Sequence, residues 1–423
     1  MWLLLMPQKP VNQVVDHLFR NEFGKAVTIL TSKFGTQHLE AAEDAVQDAL
    51  SKAMQTWAYS KIPDNPSGWI IRVAQNKLID HLRRKQKVFY ATQLPENSYE
   101  IAVPNNEQFK DEMVNMMFAC CNPKLSTDYQ IILTLKILGG LSIREIATAL
   151  LKKEETIAKS YTRAKKQFKE ENINLELPNS EAIQVRLQMV LKTIYLLFNE
   201  GYKSTEGESL IRKDLCEEAM RLNQLLLDKQ ETNNDWSRSL MALMHFQVSR
   251  FDARIDVNGH SISLEFQDRS KWDEQHITLG NRYLTTVTDG MKNSYFLQAA
   301  INGIHCAAKT YDQTNWTYIL ILYNHLYQLN ANPIVALNRI YPFAMVNGAQ
   351  SALEELQKIK NHPTLKENYL VAATSAELYI QLKNNHQAET ELLKAIGLCK
   401  NQQDLHFLIQ KLEQIKKAKP HQV

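Results

Sequence analysis

The sequence predicts an all-α protein with two small helical modules followed by a large helical domain. Apolar residues recur at three- and four-residue spacing along nearly the whole chain, which is typical of helices packed on a core. A single stretch, residues 259–266, alternates weakly in the manner of a strand. The chain has 423 residues, more than one core usually organises, so we expect two or more domains.

Changes in composition divide the chain into four segments. A first helical module is predicted over residues 11–88 and a second over 112–172. Between them, residues 89–111 form a polar linker that contains Pro95, a residue unfavourable inside helices. A large helical domain is predicted over residues 186–423.

The charge of the chain is nearly balanced overall but uneven along its length. Hydrophobic residues make up 44% and charged residues 22%, as in soluble globular proteins, and the formal net charge is only +3. Any contact with nucleic acid must therefore come from local basic patches. The first patch comprises Arg72, Lys77, Arg83, Arg84, Lys85 and Lys87, and the second comprises Lys152, Lys153, Lys159, Arg163, Lys165, Lys166 and Lys169.

The cysteines and histidines do not indicate a metal site. The five cysteines are scattered without CxxC spacing, and no histidine cluster completes a ligand set. We expect reduced thiols that mostly fill cores, no cofactor and a cytoplasmic location. The apolar residues 1–6 are too few for a membrane span, and we expect no contact with membranes.

Residues 42–57 predict an amphipathic helix in the first module. Its apolar stripe runs from Ala42 to Trp57, and its opposite face carries Asp44, Gln47 and Asp48. An acidic face suits a basic protein partner better than it suits DNA. The alternative interpretation is an ordinary solvated helix surface.

A second informative helix follows a turn at Asp64 and Asn65. Its predicted buried stripe consists of Ile71, Ala74, Leu78 and Leu82, and its other face presents Arg72, Asn76, Asp80, Arg83 and Lys87. Asparagine and arginine side chains can read base edges, and arginines can hold phosphates. Trp57, Tyr59 and Trp69 lie nearby and could stack unpaired bases. Alternatively, both tryptophans belong to the core.

The second module has the pattern of a helix-turn-helix. Ser142 and Glu145 have capping-box spacing, and Gly139-Gly140 can end the preceding helix. The second helix of the pair has an apolar stripe at Ile157, Ala158, Tyr161, Ala164 and Phe168 and a polar face at Thr156, Lys159, Ser160, Arg163 and Lys166. Such a helix can enter a major groove. A helical hairpin with a solvated basic face is the alternative.

The large domain contains a repeated pattern from about residue 333. The residues Phe343, Ala352, Leu356 and Ile359 recur about 36 residues later as Tyr379, Ala388, Leu392 and Ala395, which resembles tetratricopeptide spacing. A last helix is predicted over 404–415. A possible ligand or partner site consists of Arg250, Arg254, Asp268, Arg269 and Trp272. The alternative is an internal ion-pair network packed on the tryptophan.

These modules, in this order, resemble bacterial sigma factors of the extracytoplasmic-function group, which belong to the sigma-70 family. Residues 42–57 look like region 2.1–2.2, and Asn65-Pro-Ser-Gly-Trp69 through Asp80-His-Leu-Arg-Arg84 looks like regions 2.3–2.4. Gly140-Leu-Ser-Ile-Arg-Glu-Ile-Ala147 looks like region 4. Motifs in the large domain resemble relatives with a fused tetratricopeptide-like extension: Leu197-Phe-Asn-Glu-Gly-Tyr202, Asp214-Leu-Cys-Glu-Glu-Ala219 and Phe266-Gln-Asp-Arg-Ser-Lys-Trp272.

The resemblance implies roles for three sets of residues. The acidic set Asp44, Gln47 and Asp48 would dock on the clamp of the polymerase β′ subunit. The −10 promoter element would be held by Asp64, Asn65, Arg72, Asn76, Arg83 and Arg84. The −35 element would be read by Lys152, Lys153, Thr156, Lys159, Ser160, Arg163 and Lys166, while region 4 also contacts the β flap. Ser160 stands where these relatives usually carry arginine, so the −35 preference is expected to differ.

We therefore expect an alternative sigma factor that binds core RNA polymerase and promoter DNA, with its own C-terminal domain as regulator. No nucleotide loop, metal set or nucleophile–base pair is apparent, so an enzyme is not expected. Two other interpretations stay open: a helix-turn-helix DNA-binding regulator, or a tetratricopeptide scaffold, neither of which would join polymerase. The acidic face separates the sigma factor from the DNA-binding regulator, because a sigma factor needs it and an ordinary regulator does not.

Overall fold

The all-α prediction is confirmed by a computed structural model. The structure describes residues 11–57, 62–89, 106–150, 152–202, 211–256, 260–399 and 401–417, without the side chains of 11–21, 85–89, 106 and 403. Eighteen α-helices and five short 3-10 helices lie in these ranges. The stretch that alternates like a strand contributes only one isolated antiparallel bridge within the described residues, between Ile255 and Ser261.

The chain forms two compact units. The first contains residues 1–201 and 213–233, and the second contains 202–212 and 234–423. The helices of the first unit are α1 (Val11–Phe34), α2 (Leu39–Trp57), α3 (Pro66–Phe89), α4 (Asn106–Cys120), α5 (Thr127–Ile137), α6 (Ile143–Ala149), α7 (Glu154–Glu170), α8 (Ser180–Tyr202) and α9 (Lys213–Leu227).

Helices α1, α2 and α3 form the first module, and α2 packs on both of the others. Most of the predicted apolar stripes are buried in this packing: Ala42, Ala45, Val46, Ala49 and Ala53 of α2, with Ile71, Ala74 and Leu78 of α3. Leu82 is half-buried, and Met54 of the predicted α2 stripe is 52% exposed. Small alanines on α2 allow close approach of the neighbouring helices. The polar faces of α2 and α3 are consequently left at the surface.

The turn chemistry of the second module is as predicted. Helix α5 ends at Ile137, and Gly140 adopts a φ of 62°, the left-handed conformation that favours glycine after a helix. The hydroxyl of Ser142 accepts a hydrogen bond from the Glu145 amide at 3.2 Å, and the Glu145 carboxylate accepts one from the Ser142 amide at 2.6 Å. This capping box fixes where α6 begins, and therefore where the turn into α7 lies.

Two of the predicted segment boundaries differ from the boundaries in the structure. Helix α4 begins at Asn106, so residues 106–111 at the end of the predicted linker are helical. Ion pairs tie this first turn to the end of α9: Lys110 Nζ lies 3.0 Å from Asp228, and Asp111 lies 2.6 Å from Lys229 Nζ. Helices α8 and α9 thus belong to the first unit, although the large domain was predicted from residue 186.

The second unit consists of consecutive helices, each of which packs on the next. These are α10 (Asp235–Val248), α11 (Glu274–Thr285), α12 (Ser294–Ala307), α13 (Trp316–Leu329), α14 (Pro333–Asn347), α15 (Ala349–Ile359), α16 (Tyr369–Gln381), α17 (Asn385–Leu398) and α18 (Gln402–Lys417). The two predicted repeats form the helix pairs α14–α15 and α16–α17, and their small residues Ala352, Ala388 and Ala395 are buried in the respective cores. The predicted last helix lies within α18.

A buried carboxylate joins the two modules of the first unit. Glu43 of α2 is only 3% exposed, and it accepts a hydrogen bond from the Tyr161 hydroxyl at 2.9 Å and one from Lys165 Nζ at 3.0 Å. Lys165 also lies 3.3 Å from Glu40. Burial by itself disfavours the Lys165 ammonium, but the charge and hydrogen bond of Glu43 outweigh it and raise the pKa of Lys165. Both partners of Glu43 lie on α7.

The buried pair predicts unequal effects for two adjacent lysines. Lys165→Met leaves the Glu43 carboxylate buried without its cation, so we expect a loss of about 3 kcal/mol in the free energy of unfolding. Lys166→Met is the matched control, because Lys166 is exposed on the other face of α7, and we expect a change under about 0.5 kcal/mol. Tyr161→Phe, which removes one hydrogen bond, is expected to cost about 1 kcal/mol.

The measurement is denaturant unfolding of the full chain, followed by far-UV circular dichroism and tryptophan fluorescence. Equal losses for Lys165→Met and Lys166→Met would contradict the importance of the buried pair.

Candidate nucleic-acid interface

The outer face of α7 is polar and basic, because the buried apolar residues of the helix lie on its inner face. Ile157, Tyr161, Ala164 and Phe168 of the predicted apolar stripe are buried, whereas its remaining member, Ala158, is exposed. Thr156, Lys159, Arg163 and Lys166 are exposed on the other side, and Ser160 is half-buried between the two faces. Lys152 and Lys153 are exposed at the start of the helix. The structure therefore brings the predicted −35 residues together on one surface, the basic face of α7.

The cations on this basic face differ in their partners. Lys159 Nζ lies 2.6 Å from Glu155, Lys166 Nζ 3.7 Å from Glu170, and Lys152 Nζ 2.6 Å from Asp128. These pairs are exposed, so each contributes little and a phosphate can replace the carboxylate. Arg163 makes no ion pair with any residue that the structure describes. The same holds for Lys153 at the start of the helix, so these two cations of the basic face are the most available to a ligand.

Two carboxylates limit how an anion can approach α7. Glu154 and Glu155 are exposed in its first turn, where they stabilise the positive end of the helix dipole. The same charges repel phosphate at that end. A phosphate backbone is therefore directed toward the later basic residues, Lys159, Arg163 and Lys166.

The exposed face of α3 carries the predicted −10 residues. Arg72, Asn76, Arg83 and Arg84 are exposed, and Ile71, Ala74 and Leu78 are buried on the opposite face. Asp80 is exposed among these cations. The side chains of Lys85 and Lys87 lie outside the described residues.

Asn65 and Asp64 lie in the turn that begins α3. The Asn65 side-chain oxygen accepts a hydrogen bond from the Gly68 amide at 2.8 Å, and its backbone carbonyl accepts one from the Trp69 amide at 3.1 Å. Asn65 therefore caps α3 and fixes its start, while Asp64 is exposed beside it.

The two tryptophans near this turn contact each other. The ring centroids of Trp57 and Trp69 are 5.4 Å apart with an interplanar angle of 57°, and both side chains are half-buried. The rings are thus anchored to the fold and keep partial access to solvent. Tyr59, the third aromatic residue of the predicted stacking group, lies outside the described residues.

The exposed face of α2 differs from the other two in being acidic. Asp44, Gln47 and Asp48 are all exposed, and Asp48 lies 2.8 Å from Lys77 Nζ of α3. Partial burial raises the pKa of Asp44; Lys165 opposes this effect, and Glu43 adds to it. The acidic face of α2 is therefore contiguous with the buried carboxylate that contacts α7.

Sequence reasoning missed Glu43 and Lys165 as a pair. A signal was present, because Glu43 lies on the same side of α2 as Leu39 and Val46, both buried. A charged residue on an apolar stripe requires a partner of opposite charge. The pattern could not say that the partner would come from α7.

The arginines of the possible C-terminal site are engaged within the second unit. Arg250 donates to the Tyr202 hydroxyl at 3.0 Å and the Asn302 side chain at 2.8 Å. Arg254 donates to the Tyr202 carbonyl at 2.8 Å, and Arg269 donates to the carbonyls of His305 at 2.5 Å and Ala308 at 2.6 Å. The Arg269 guanidinium lies 4.6 Å from the ring centroid of Trp272. Asp268 accepts hydrogen bonds from Ser270, which starts a 3-10 turn. These contacts hold Arg250 and Arg269 against α12.

Within the described residues, no group of three or more histidine, cysteine or acidic side chains could hold a metal ion. None of the helices there has the length and apolar character needed to cross a membrane. Cys120, Cys121 and Cys216 are buried free thiols, and burial raises the pKa of Cys121 to about 12.

Three protein families match successive parts of the chain. Residues 20–88 match Sigma-70 region 2, and residues 116–168 match Sigma-70 region 4. Residues 186–288 match a family of unknown function, DUF6596. The first two matches coincide with the modules that carry the exposed faces of α2, α3 and α7.

One similar protein spans nearly the whole chain. Uncharacterized protein R00370 of Rhizobium meliloti (strain 1021) is 32% identical over 393 residues, which cover 90% of this chain and 91% of that protein. No solved structure matches the chain significantly. The chain therefore belongs to the sigma-70 family, with region 2, region 4 and a C-terminal extension that begins in a domain of unknown function.

Proposed function

We propose that this sigma-70 family protein is an alternative sigma factor of the extracytoplasmic-function type that binds core RNA polymerase and directs initiation at particular promoters. The observation that carries the proposal is the exposure of one acidic and two basic helix faces in the matched modules. The acidic face is on α2, and the basic faces are on α3 and α7. A DNA-binding regulator that acts without polymerase would not need the acidic face of α2.

Polymerase docking is assigned to Asp44, Gln47 and Asp48. In this proposal they contact the clamp of the β′ subunit, and complementary charge speeds and orients the encounter. The exposure of all three side chains supports this role. Region 4 contacts the β flap.

Recognition of the −10 element is assigned to Asp64, Asn65, Arg72, Asn76, Arg83 and Arg84. The arginines hold the backbone, and the polar residues near the start of α3 receive a base turned out of the stack. Turning out a base costs a few kcal/mol, and contacts between the base and the pocket offset this cost. The partly exposed ring pair of Trp57 and Trp69 offers an apolar surface beside that base.

Recognition of the −35 element is assigned to Lys152, Lys153, Thr156, Lys159, Ser160, Arg163 and Lys166. In this proposal α7 lies in the major groove with its basic face toward the DNA. Arg163 is the candidate for a base contact, because it lies centrally on that face and makes no ion pair with the described residues. The lysines supply phosphate contacts.

We further propose that the C-terminal domain regulates this activity and that its part from about residue 333 is tetratricopeptide-like. Support for the second point comes from the helix pairs α14–α15 and α16–α17, whose equivalent alanines are buried about 36 residues apart. Such repeats usually provide a concave binding surface.

The deciding experiment is co-purification of the chain with core RNA polymerase that lacks its own sigma subunit, followed by run-off transcription of genomic DNA. We expect a stable complex and discrete transcripts that depend on the added chain. Binding to DNA without binding to core polymerase would favour a helix-turn-helix regulator, and binding to neither would favour a scaffold.

Arg163→Ala should weaken binding to the −35 duplex by about 1–3 kcal/mol and relax sequence preference at one position, if Arg163 reads a base. If it holds only phosphate, the loss is uniform across sequences and the salt dependence becomes shallower. Fluorescence anisotropy at several salt concentrations separates the two outcomes. Arg282→Ala, at an exposed arginine of α11, is the control. No change in affinity for Arg163→Ala would exclude Arg163 from the interface.

Asp48→Lys should weaken the complex with core polymerase roughly tenfold or more, because it reverses a charge on the docking face and places a second cation beside Lys77. Affinity for a −35 duplex should not fall. Asp312→Lys makes the same charge change at an exposed position in the second unit and should leave polymerase binding unaltered. Equal polymerase affinity for the Asp48→Lys protein and the unmodified chain would argue against the docking assignment.

Regulation by the C-terminal domain predicts that its removal changes transcription. The cut belongs after Asn233, since α8 and α9 are part of the first unit. We expect run-off transcription by the shortened chain to differ by roughly fivefold or more, the lower range of typical coupling between sites. Thermal unfolding of the shortened chain checks that the first unit is intact. Unchanged transcription with an intact first unit would refute the regulatory role.

A further inference from the structure

A cavity of about 370 Å³ lies in the second unit, and none of the proposed transcription functions uses it. Helices α13, α14, α16, α17 and α18 contribute to its walls, together with residues 263–265. Its volume falls in the range of sites for small organic molecules. The site is therefore large enough for a compact ligand with an apolar body.

One wall of the cavity is a preassembled aromatic cluster. The ring centroid of Trp316 is 5.4 Å from that of Tyr311 and 5.5 Å from that of Tyr341. The two tyrosine hydroxyls share a hydrogen bond. His305 packs edge-on against Trp316 at 5.4 Å, and Phe407 lines the cavity from α18. The rings hold one another in place, so a ligand need not order them.

Among the side chains that line the cavity, the charges leave one carboxylate in excess, while Arg250 and Arg269 act on His305 from outside the lining. Lys411 pairs with Glu377, whereas the exposed Glu265 makes no ion pair with any described residue. Burial, aided by the charges of Arg250 and Arg269, lowers the pKa of His305 to about 3, so this imidazole is neutral at physiological pH. Burial and the hydrogen bond with Tyr341 raise the pKa of Tyr311, and the two carboxylates add to this, so its hydroxyl is neutral as well.

Two buried polar atoms of the lining are unsatisfied. The Trp316 indole N–H and the Nδ1 atom of His305 have no hydrogen-bond partner within the part of the chain that the structure describes. Both atoms are buried behind the cavity surface, so what the cavity offers a ligand is the aromatic rings and the carboxylate of Glu265.

We propose that this cavity binds a small organic cation, an ammonium group carried on an apolar or aromatic body. The ammonium would lie near Glu265, and the body would lie against Trp316, Tyr311 and Tyr341. Aromatic faces attract cations through the ring quadrupole, and the excess carboxylate adds to that attraction. An anion of the same shape would meet an uncompensated negative charge.

The site does not depend on the transcription function, so the two proposals can fail separately. The test uses the purified full chain and two molecules of similar size and opposite charge, phenethylammonium and 3-phenylpropionate. Ligand-observed NMR titration measures both affinities. We expect phenethylammonium to bind and 3-phenylpropionate to bind at least roughly fivefold more weakly.

Two single substitutions should shift the affinity for phenethylammonium in opposite directions. Glu265→Gln removes the excess carboxylate and should weaken binding roughly fivefold, whereas Lys411→Gln frees the Glu377 carboxylate and should strengthen binding by a similar factor. Glu274→Gln, at an exposed position of α11 outside the cavity, is the control and should change nothing. Thr374→Trp places a large ring in the cavity and should abolish binding.

Failure of phenethylammonium to bind would overturn the proposal. So would equal affinity for the two molecules, shifts of the same sign for Glu265→Gln and Lys411→Gln, or binding to a folded Thr374→Trp protein at full affinity.

Discussion

The buried carboxylate of Glu43 is the constraint on which the arrangement of the first unit depends. A charge that is 3% exposed is stable only when it is paired, and both of its partners, Tyr161 and Lys165, lie on α7. They fix which side of α7 faces α2. The basic face of α7, with Arg163 and Lys166, is left at the surface for that reason. One ion pair thus positions α2 and α7 relative to each other.

The three exposed faces have distinct electrostatic characters. The acidic face of α2 attracts basic protein surfaces, and its charge discourages contact with nucleic acid. The basic faces of α3 and α7 do the opposite, and Glu154 and Glu155 at the start of α7 restrict where phosphates can approach. Long-range attraction thus distinguishes the partners before any specific contact forms. The C-terminal arginines work differently, since Arg250, Arg254 and Arg269 serve the internal structure of the second unit.

The sequence predicts local features such as helix caps and apolar stripes, but it does not predict which helices pack together in one unit. The capping box at Ser142, the left-handed Gly140 and most of the apolar stripes of α2, α3 and α7 follow from short-range spacing, and the structure has them, apart from the exposed Met54 and Ala158. The assignment of α8 and α9 to the first unit depends on ion pairs such as Lys110–Asp228, which join residues distant in sequence. The strand-like alternation gives only one bridge within the described residues, because the segment turns into a 3-10 helix at Leu264–Phe266. The roles of individual site residues stay predictions, because exposure shows availability and not a bound partner.

The polar nature of the Glu43 contact has a further consequence for how α2 and α7 can come apart. Removing one member of such a pair leaves the other buried, charged and without hydration, which lowers the stability of the fold. Parting both members together lets carboxylate, ammonium and phenol regain their hydration, which offsets much of the lost attraction. The junction therefore resists partial loosening and tolerates complete separation. Contacts of this kind let two helices behave as one rigid piece or as two independent ones, with few states between.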